Sequence, residues 1–150
     1  MNEIRDRHGN LIGSCDDLNG MDFDSANLQG TDLSGRIMEG ANFSDANMIN
    51  SNLEGCDLYW AIFFRTKLVN ANLKQACLCG ADLKFANLLG ADLRNANFGS
   101  DNVGGSTQLQ GTNLQDCLVD GAIFNQATYD AETKFPKDFD PIAHGMLFAK

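Results

Sequence analysis

The residues in this sequence that could carry chemistry are few, and their spacing does not assemble an active site. The five cysteines are Cys15, Cys56, Cys77, Cys79 and Cys117. Their number is odd and none forms the C-x-x-C spacing of a zinc or redox site, so free thiols in a reducing compartment are the expected state. Cys77 and Cys79 flank Leu78, and a metal or redox role for that pair ranks below the free-thiol reading. The two histidines, His8 and His144, lie near the chain ends and read as solvated surface residues. No Ser-His-Asp or Cys-His arrangement can be assembled, and no Gly-rich phosphate loop is present. The Asp-rich start (Asp16, Asp17, Asp22, Asp24) lacks the D-x-[DN]-x-[DN]-G order of a calcium loop. No catalytic, cofactor or metal site is expected, and the protein reads as a non-enzyme.

Composition narrows the partners. The 150 residues suit one domain, and the net charge of −9 opposes general affinity for nucleic acid or an anionic membrane. No apolar run approaches a membrane span, and "MNEIRDRHGNLIGSC" lacks the apolar core of a secretory signal, so a cytoplasmic location is expected.

The ordering principle is a period of five. In "GADLKFANLLGADLRNANF", residues 80–98, every fifth residue is Leu or Phe. Ala stands two places before each, and Asp or Asn one place before. With the large apolar residue called position i, the register runs from Leu18 to Val103. It slips by one residue within "GGSTQLQGTNL" and resumes from Leu109 to Tyr129. That makes 23 repeats over residues 16–131. Position i−2 is small in 19 of them, i−1 is Asn or Asp in 15, and i+2 is Gly in 10, so each position has its own structural demand. A period of five fits neither a helix nor a plain strand. It fits a coil in which each segment forms one side and turns. Side chains at i−2 and i face inward, those at i−1 and i+1 face outward, and the Gly-rich i+2 suits the turn.

This pattern resembles the pentapeptide-repeat family, A-(N/D)-L-x-x, over about three-quarters of the chain. The resemblance implies an all-β fold, a right-handed quadrilateral parallel β-helix with about twenty residues per coil. About six coils follow, a rod roughly 28 Å long at ~4.8 Å per coil. Residues twenty apart should then stack. Phe23, Phe43 and Phe63 form one ladder, continued by Leu83, Val103 and Phe124. The other ladders end Phe98–Val119, Leu88–Leu109–Tyr129 and Leu93–Leu114.

Both ends of such a rod need covers. Residues 1–15 read as a hairpin cap with a His-Gly-Asn turn. Residues 132–150 read as a C-terminal cap in which Phe135 and Phe139 plug the last coil. There Asp140 and Pro141 start a short helix. This tail resembles the closing segment of cyanobacterial members of the family. Asp16 and Arg36, both inward and twenty apart, are expected to pair. Asp101, also inward, precedes the slip, where Gly104, Gly105 and Ser106 should form a local bulge.

What faces outward is unusual. Tyr59, Trp60 and Phe64 cluster near one edge, with Phe85 one coil beyond Arg65. Ile49, Val69 and Leu89 stack at the outward i+1 position of another wall. These seven residues are the candidate interaction surface. The expected function is a structural or protein-interaction module with an unidentified protein partner, acting as a monomer or weak homodimer. The alternative is an acidic DNA mimic, since some family members confer quinolone resistance by binding DNA gyrase in that way. Against it, Lys67, Lys74, Lys84 and Arg94 interrupt the outer walls.

Overall fold

Five residues make one rung and one corner. The computed structural model describes residues 3–6, 8–14 and 17–150. On each rung the i−2 and i side chains point into a closed lumen. Ala41 with Phe43, Ala61 with Phe63 and Ala81 with Leu83 are all fully buried. Coils join chiefly through the backbone. Phe23 N–H donates to the Asn42 carbonyl (2.7 Å) and Asn42 N–H to the Met21 carbonyl (2.9 Å), and the pattern recurs up the chain.

The corners explain the other positions. The N–H of i+3 donates to the carbonyl of i, as Ala46 does to Phe43 at 3.0 Å. Residue i+2 takes a left-handed conformation, with φ of 56° at Asp45 and 64° at Gly40. This is the geometry of a type II turn, which is why Gly and Asn favour that place. The Asn or Asp at i−1 caps the turn from outside. Asn42 Oδ1 accepts from Ser44 N–H and Asp82 Oδ1 from Lys84 N–H, both at 3.0 Å. Several polar lumen residues are also paired to backbone, although the Thr31 and Ser51 hydroxyls are not. Thr66 Oγ1 donates to Phe43 O (2.7 Å) and Cys117 Sγ to Leu88 O (2.9 Å).

Parallel bridges define four walls. The first runs through Asp22, Asn42, Ile62, Asp82, Gln108 and Thr128, and the second through Asn27, Asn47, Lys67, Asn87, Asn113 and Lys134. The third runs from Asp32 to Leu118, and the fourth from Ile37 to Ile123. Phe23, Phe43 and Phe63 stack face to face inside the first wall, with centroids 5.1 and 5.0 Å apart.

The slip is larger than one residue. Asp82 bridges Gln108 where a plain coil would bring residue 102. One whole repeat and the extra residue are therefore extruded between Phe98 and Thr107. Val103 leaves the ladder and is 77% exposed. Leu83 lies under Leu109, and Phe98 stacks on Phe124 at 4.9 Å. Each wall above the insertion thus carries the neighbour of the residue expected from strict counting. The physical reason is that a single extra residue would turn the next rung inside out, whereas a whole loop leaves the rungs in register. Thr107 closes the gap, its hydroxyl within hydrogen-bond distance of both Leu78 O (2.9 Å) and Gly99 O (2.8 Å).

The N-terminal cover is the expected hairpin. Strand β1 (Glu3–Arg5) pairs antiparallel with β2 (Leu11–Ser14), and Ile4 is buried on the first coil. Asp16 lies outside the described residues, so its pairing with Arg36 is not described; Arg36 reaches the Glu3 carbonyl at 3.4 Å. At the other end β3 (Thr128–Tyr129) pairs in parallel with β4 (Leu147–Phe148). Between them, residues 141–145 form a turn rather than the expected short helix, and no helix occurs among the described residues. Asp140 does cap Ile142 and Ala143, but Gly145 reverses the chain at φ 73° before a helix can propagate. Phe135 and Phe139 stack at 5.2 Å and close the lumen, with Phe139 against Phe124. His144 is not simply solvated, since its ring stacks on Phe139 at 4.2 Å.

Leu68 is fully buried at mid-rod and Asn70 is an exposed corner residue. Leu68→Asp forfeits roughly 1.5–3 kcal/mol of burial and strands a carboxylate in the lumen. It is expected to abolish cooperative unfolding by circular dichroism, while Asn70→Asp melts like wild type. Equal melting temperatures would refute the inward and outward assignment.

Candidate functional site

The corner position gives the first clue to the site. A left-handed φ costs a bulky side chain about 1–2 kcal/mol. Yet Trp60 (φ 58°), Arg65 (φ 55°) and Phe85 (φ 60°) occupy such corners. Each large ring is accommodated by a glycine one coil on. The Trp60 ring lies over Gly80 and the Phe85 ring over Gly111, so closely that a Cβ at either glycine would collide with it.

The rings frame the outer side of the first wall. Phe64 and Phe85 meet edge to face at 5.7 Å, and Ile62 is exposed between the corners of its rung. The Arg65 guanidinium sits 4.8 Å from the Phe64 centroid while it binds Asp45 through two hydrogen bonds of 2.9 and 2.8 Å. That pairing holds the Asp45 carboxyl below the usual carboxylate range. Trp60 and Phe85 remain 47% and 54% exposed, so a contiguous apolar face survives beside a charged rim.

Tyr59 and Trp60 have a second task that the periodicity concealed. They hold the extruded loop. Trp60 Nε1 donates to Asp101 Oδ2 at 2.7 Å, and the Tyr59 hydroxyl contacts Asn102 Oδ1 at 2.7 Å and accepts from Asn102 N–H at 2.6 Å. Asp101 therefore does not face the lumen. Its carboxylate ties the loop to itself, accepting from Val103 N–H and Gly105 N–H. The Trp60 N–H, then these backbone amides, lower the Asp101 pKa.

The aliphatic ladder is less open than its outward position implied. Ile49, Val69 and Leu89 do follow one another on successive coils, but all three are half-buried. The thiols are also repositioned: Cys77 is half-buried, while Cys79 is 7% exposed beneath the loop corner rather than facing water. Among the described residues, no group of three or more His, Cys, Asp or Glu side chains could hold a metal, and no helix is long and apolar enough to cross a membrane.

A family model for pentapeptide repeats matches eight copies over residues 17–40, 26–65 and 61–99, more than half of the chain. The chain belongs to the pentapeptide-repeat family. Its four-walled coil is the right-handed quadrilateral β-helix of solved structures in that family. HetL from the cyanobacterium Nostoc sp. strain PCC 7120, a pentapeptide-repeat protein involved in heterocyst differentiation regulation, is 28% identical with a TM-score of 0.67. That match covers 75% of this chain and 48% of HetL, so the chain spans about half the length of that relative. Rfr23 from the cyanobacterium Cyanothece 51142 is 26% identical with a TM-score of 0.52, covering 79% of this chain and 87% of that one. A comparison with curated protein sequences finds no match.

Trp60 is the only tryptophan, so loop docking can be read from its fluorescence. Because the folded Asp101 pKa lies below the ordinary 3.8, docking is fully supported above that pH and lost as pH falls through the folded value. Wild-type emission should therefore change on acidification below about pH 3.8. Asp101→Ala should show the acid-type spectrum at neutral pH and no such transition. A transition persisting in Asp101→Ala would disprove the tether.

Proposed function

We propose that this pentapeptide-repeat protein is a non-enzymatic interaction module that docks a protein partner on the aromatic face of its first wall. The observation carrying this reading is the placement of Trp60 and Phe85. Both rings occupy left-handed corners that favour Gly or Asn, and both stay about half exposed. Trp60 also tethers the loop, but strain retained at exposed Phe85 is unexplained by stability of the coil, which the neighbouring corners achieve with Gly40 and Asn70. Aromatic and Arg side chains at the centre of a patch, rimmed by ion pairs, are the usual anchors of a protein interface. Tyr59, turned toward the loop, supports the face. Ile49, Val69 and Leu89 form its aliphatic counterpart on the adjacent wall and contribute less, being half-buried.

A double variant tests it. Trp60→Asn with Phe85→Asn removes the rings while suiting the left-handed corners, so the coil should be retained although the loop loses its Trp60 tether; Phe85→Asn alone leaves that tether in place. Capture from a lysate of the source organism should then lose a partner that wild type retains. An identical set of captured proteins on both baits would sink the proposal.

The DNA-mimic alternative is weakened by pairing on the outer walls. Arg65 with Asp45 (2.8 Å), Lys74 with Glu54 (3.4 Å), Lys84 with Asp82 (3.4 Å) and Arg94 with Asp92 (2.7 Å) neutralise carboxylates that a duplex mimic would present unpaired. The purified protein is expected not to inhibit gyrase supercoiling at micromolar concentration. Inhibition that fades as salt is raised would reverse the order of the two readings.

A further inference from the structure

Cys77 and Cys79 are thiols that the architecture of the coil does not use. Cys56 and Cys117 point into the lumen, where their S–H groups donate to the carbonyls of Leu33 and Leu88. Cys77 and Cys79 instead lie outside the fourth wall on either side of fully buried Leu78, and their sulfurs are 3.6 Å apart. Cys79 is enclosed at the corner where Gly80 N–H donates to Thr107 Oγ1 and the Trp60 ring covers Gly80. Cys77 is half-buried, so the pair is reached from its side.

The geometry discriminates between two uses of a dithiol. A disulfide needs the sulfurs at about 2.05 Å and the Cα atoms within about 6.8 Å. Alternate residues of an extended rung stand about 6.6 Å apart, at the limit of that range, and buried Leu78 resists the pucker that would shorten it. A cation asks for the opposite movement. Metal–sulfur bonds of about 2.3 Å place two sulfurs up to ~4.5 Å apart, an opening that rotation of the Cys77 side chain supplies. The donor set then selects the ion. No third His, Cys, Asp or Glu joins the pair among the described residues. Zinc, calcium and magnesium need four or more ligands, whereas soft thiolates select Cu(I).

We propose that Cys77 and Cys79 form a two-sulfur site for one soft monovalent cation of the Cu(I) and Ag(I) class. Binding exchanges two thiol protons, released to solvent, for one cation, and leaves the site with a charge of −1.

The test uses the full, reduced chain under anaerobic conditions. Cu(I) is partitioned against a chromogenic Cu(I) chelator, and Ag(I) uptake is read by intact mass. The expected result is one ion per chain with quenching of Trp60 emission. Cys77→Ser and Cys79→Ser should each weaken binding at least ~100-fold. Cys15→Ser should bind like wild type, and a melting curve on each variant confirms its fold. Cys77 is half-buried, so its serine variant keeps the comparison valid even if Cys79→Ser fails to fold. No retained ion in wild type, uptake unchanged in Cys77→Ser, or a mass two units low in place of metal gain would each overturn the proposal.

Discussion

The hydrogen-bond ladder between coils governs everything else in this protein. Each rung has only one or two residues in strand geometry, so its amides find partners on the coil above and below rather than along the same segment. Leu28 N–H reaches Asn47 O at 2.7 Å, and Asn47 N–H reaches Ala26 O at 2.9 Å. This spacing stacks like positions above like. Four large side chains per coil must then share one narrow lumen, which leaves room only for small residues at i−2. The same ladder commits every corner to one turn geometry, with Asn or Asp at i−1 holding the turn from outside. Repetition is therefore a consequence of backbone pairing, and departures from it are where function is to be sought.

The insertion at 99–106 shows how such a ladder accepts change. The loop leaves at the end of one rung and re-enters at the start of the next, so the rung amides keep their partners, and the corner amide of Gly80 passes to the Thr107 hydroxyl. Asp101 N–H bonds Gly105 O at 2.7 Å, and the Asp101 carboxylate satisfies further amides inside the loop. Tyr59 and Trp60, two coils below, clamp it from outside. The same corner thus brings together the exposed Trp60 ring, the tethered loop and the enclosed Cys79. A partner on the first wall and a cation at the dithiol would meet through Trp60, the side chain common to both environments.

HetL and Rfr23 share the coil and about a quarter of the residues, and this chain spans about half of HetL. The coil is a rigid support common to all of them. The residues the repeat does not require are Trp60, Phe64, Phe85, the 99–106 loop and the Cys77–Cys79 pair.

The sequence by itself determined the period, the inward and outward positions and the hairpin cap, because these follow from local alternation repeated many times. It was equally sufficient for the aromatic stack of Phe23, Phe43 and Phe63, which precedes the insertion. Stacking beyond residue 98 was decided only in three dimensions. Counting residues treats the slip as one extra residue, whereas coil-to-coil pairing favours extruding a whole repeat, and that shifts Leu109, Leu114, Val119 and Phe124 each by one wall. The role of Asp101 was invisible for the same reason, since its partner Trp60 lies 41 residues away. The turn at 141–145 and the enclosure of Cys79 were also tertiary outcomes. Local helix signals at Asp140 and Pro141 yielded to the pairing of β3 with β4. The outward position of Cys79 was overridden by a loop folding back on its corner.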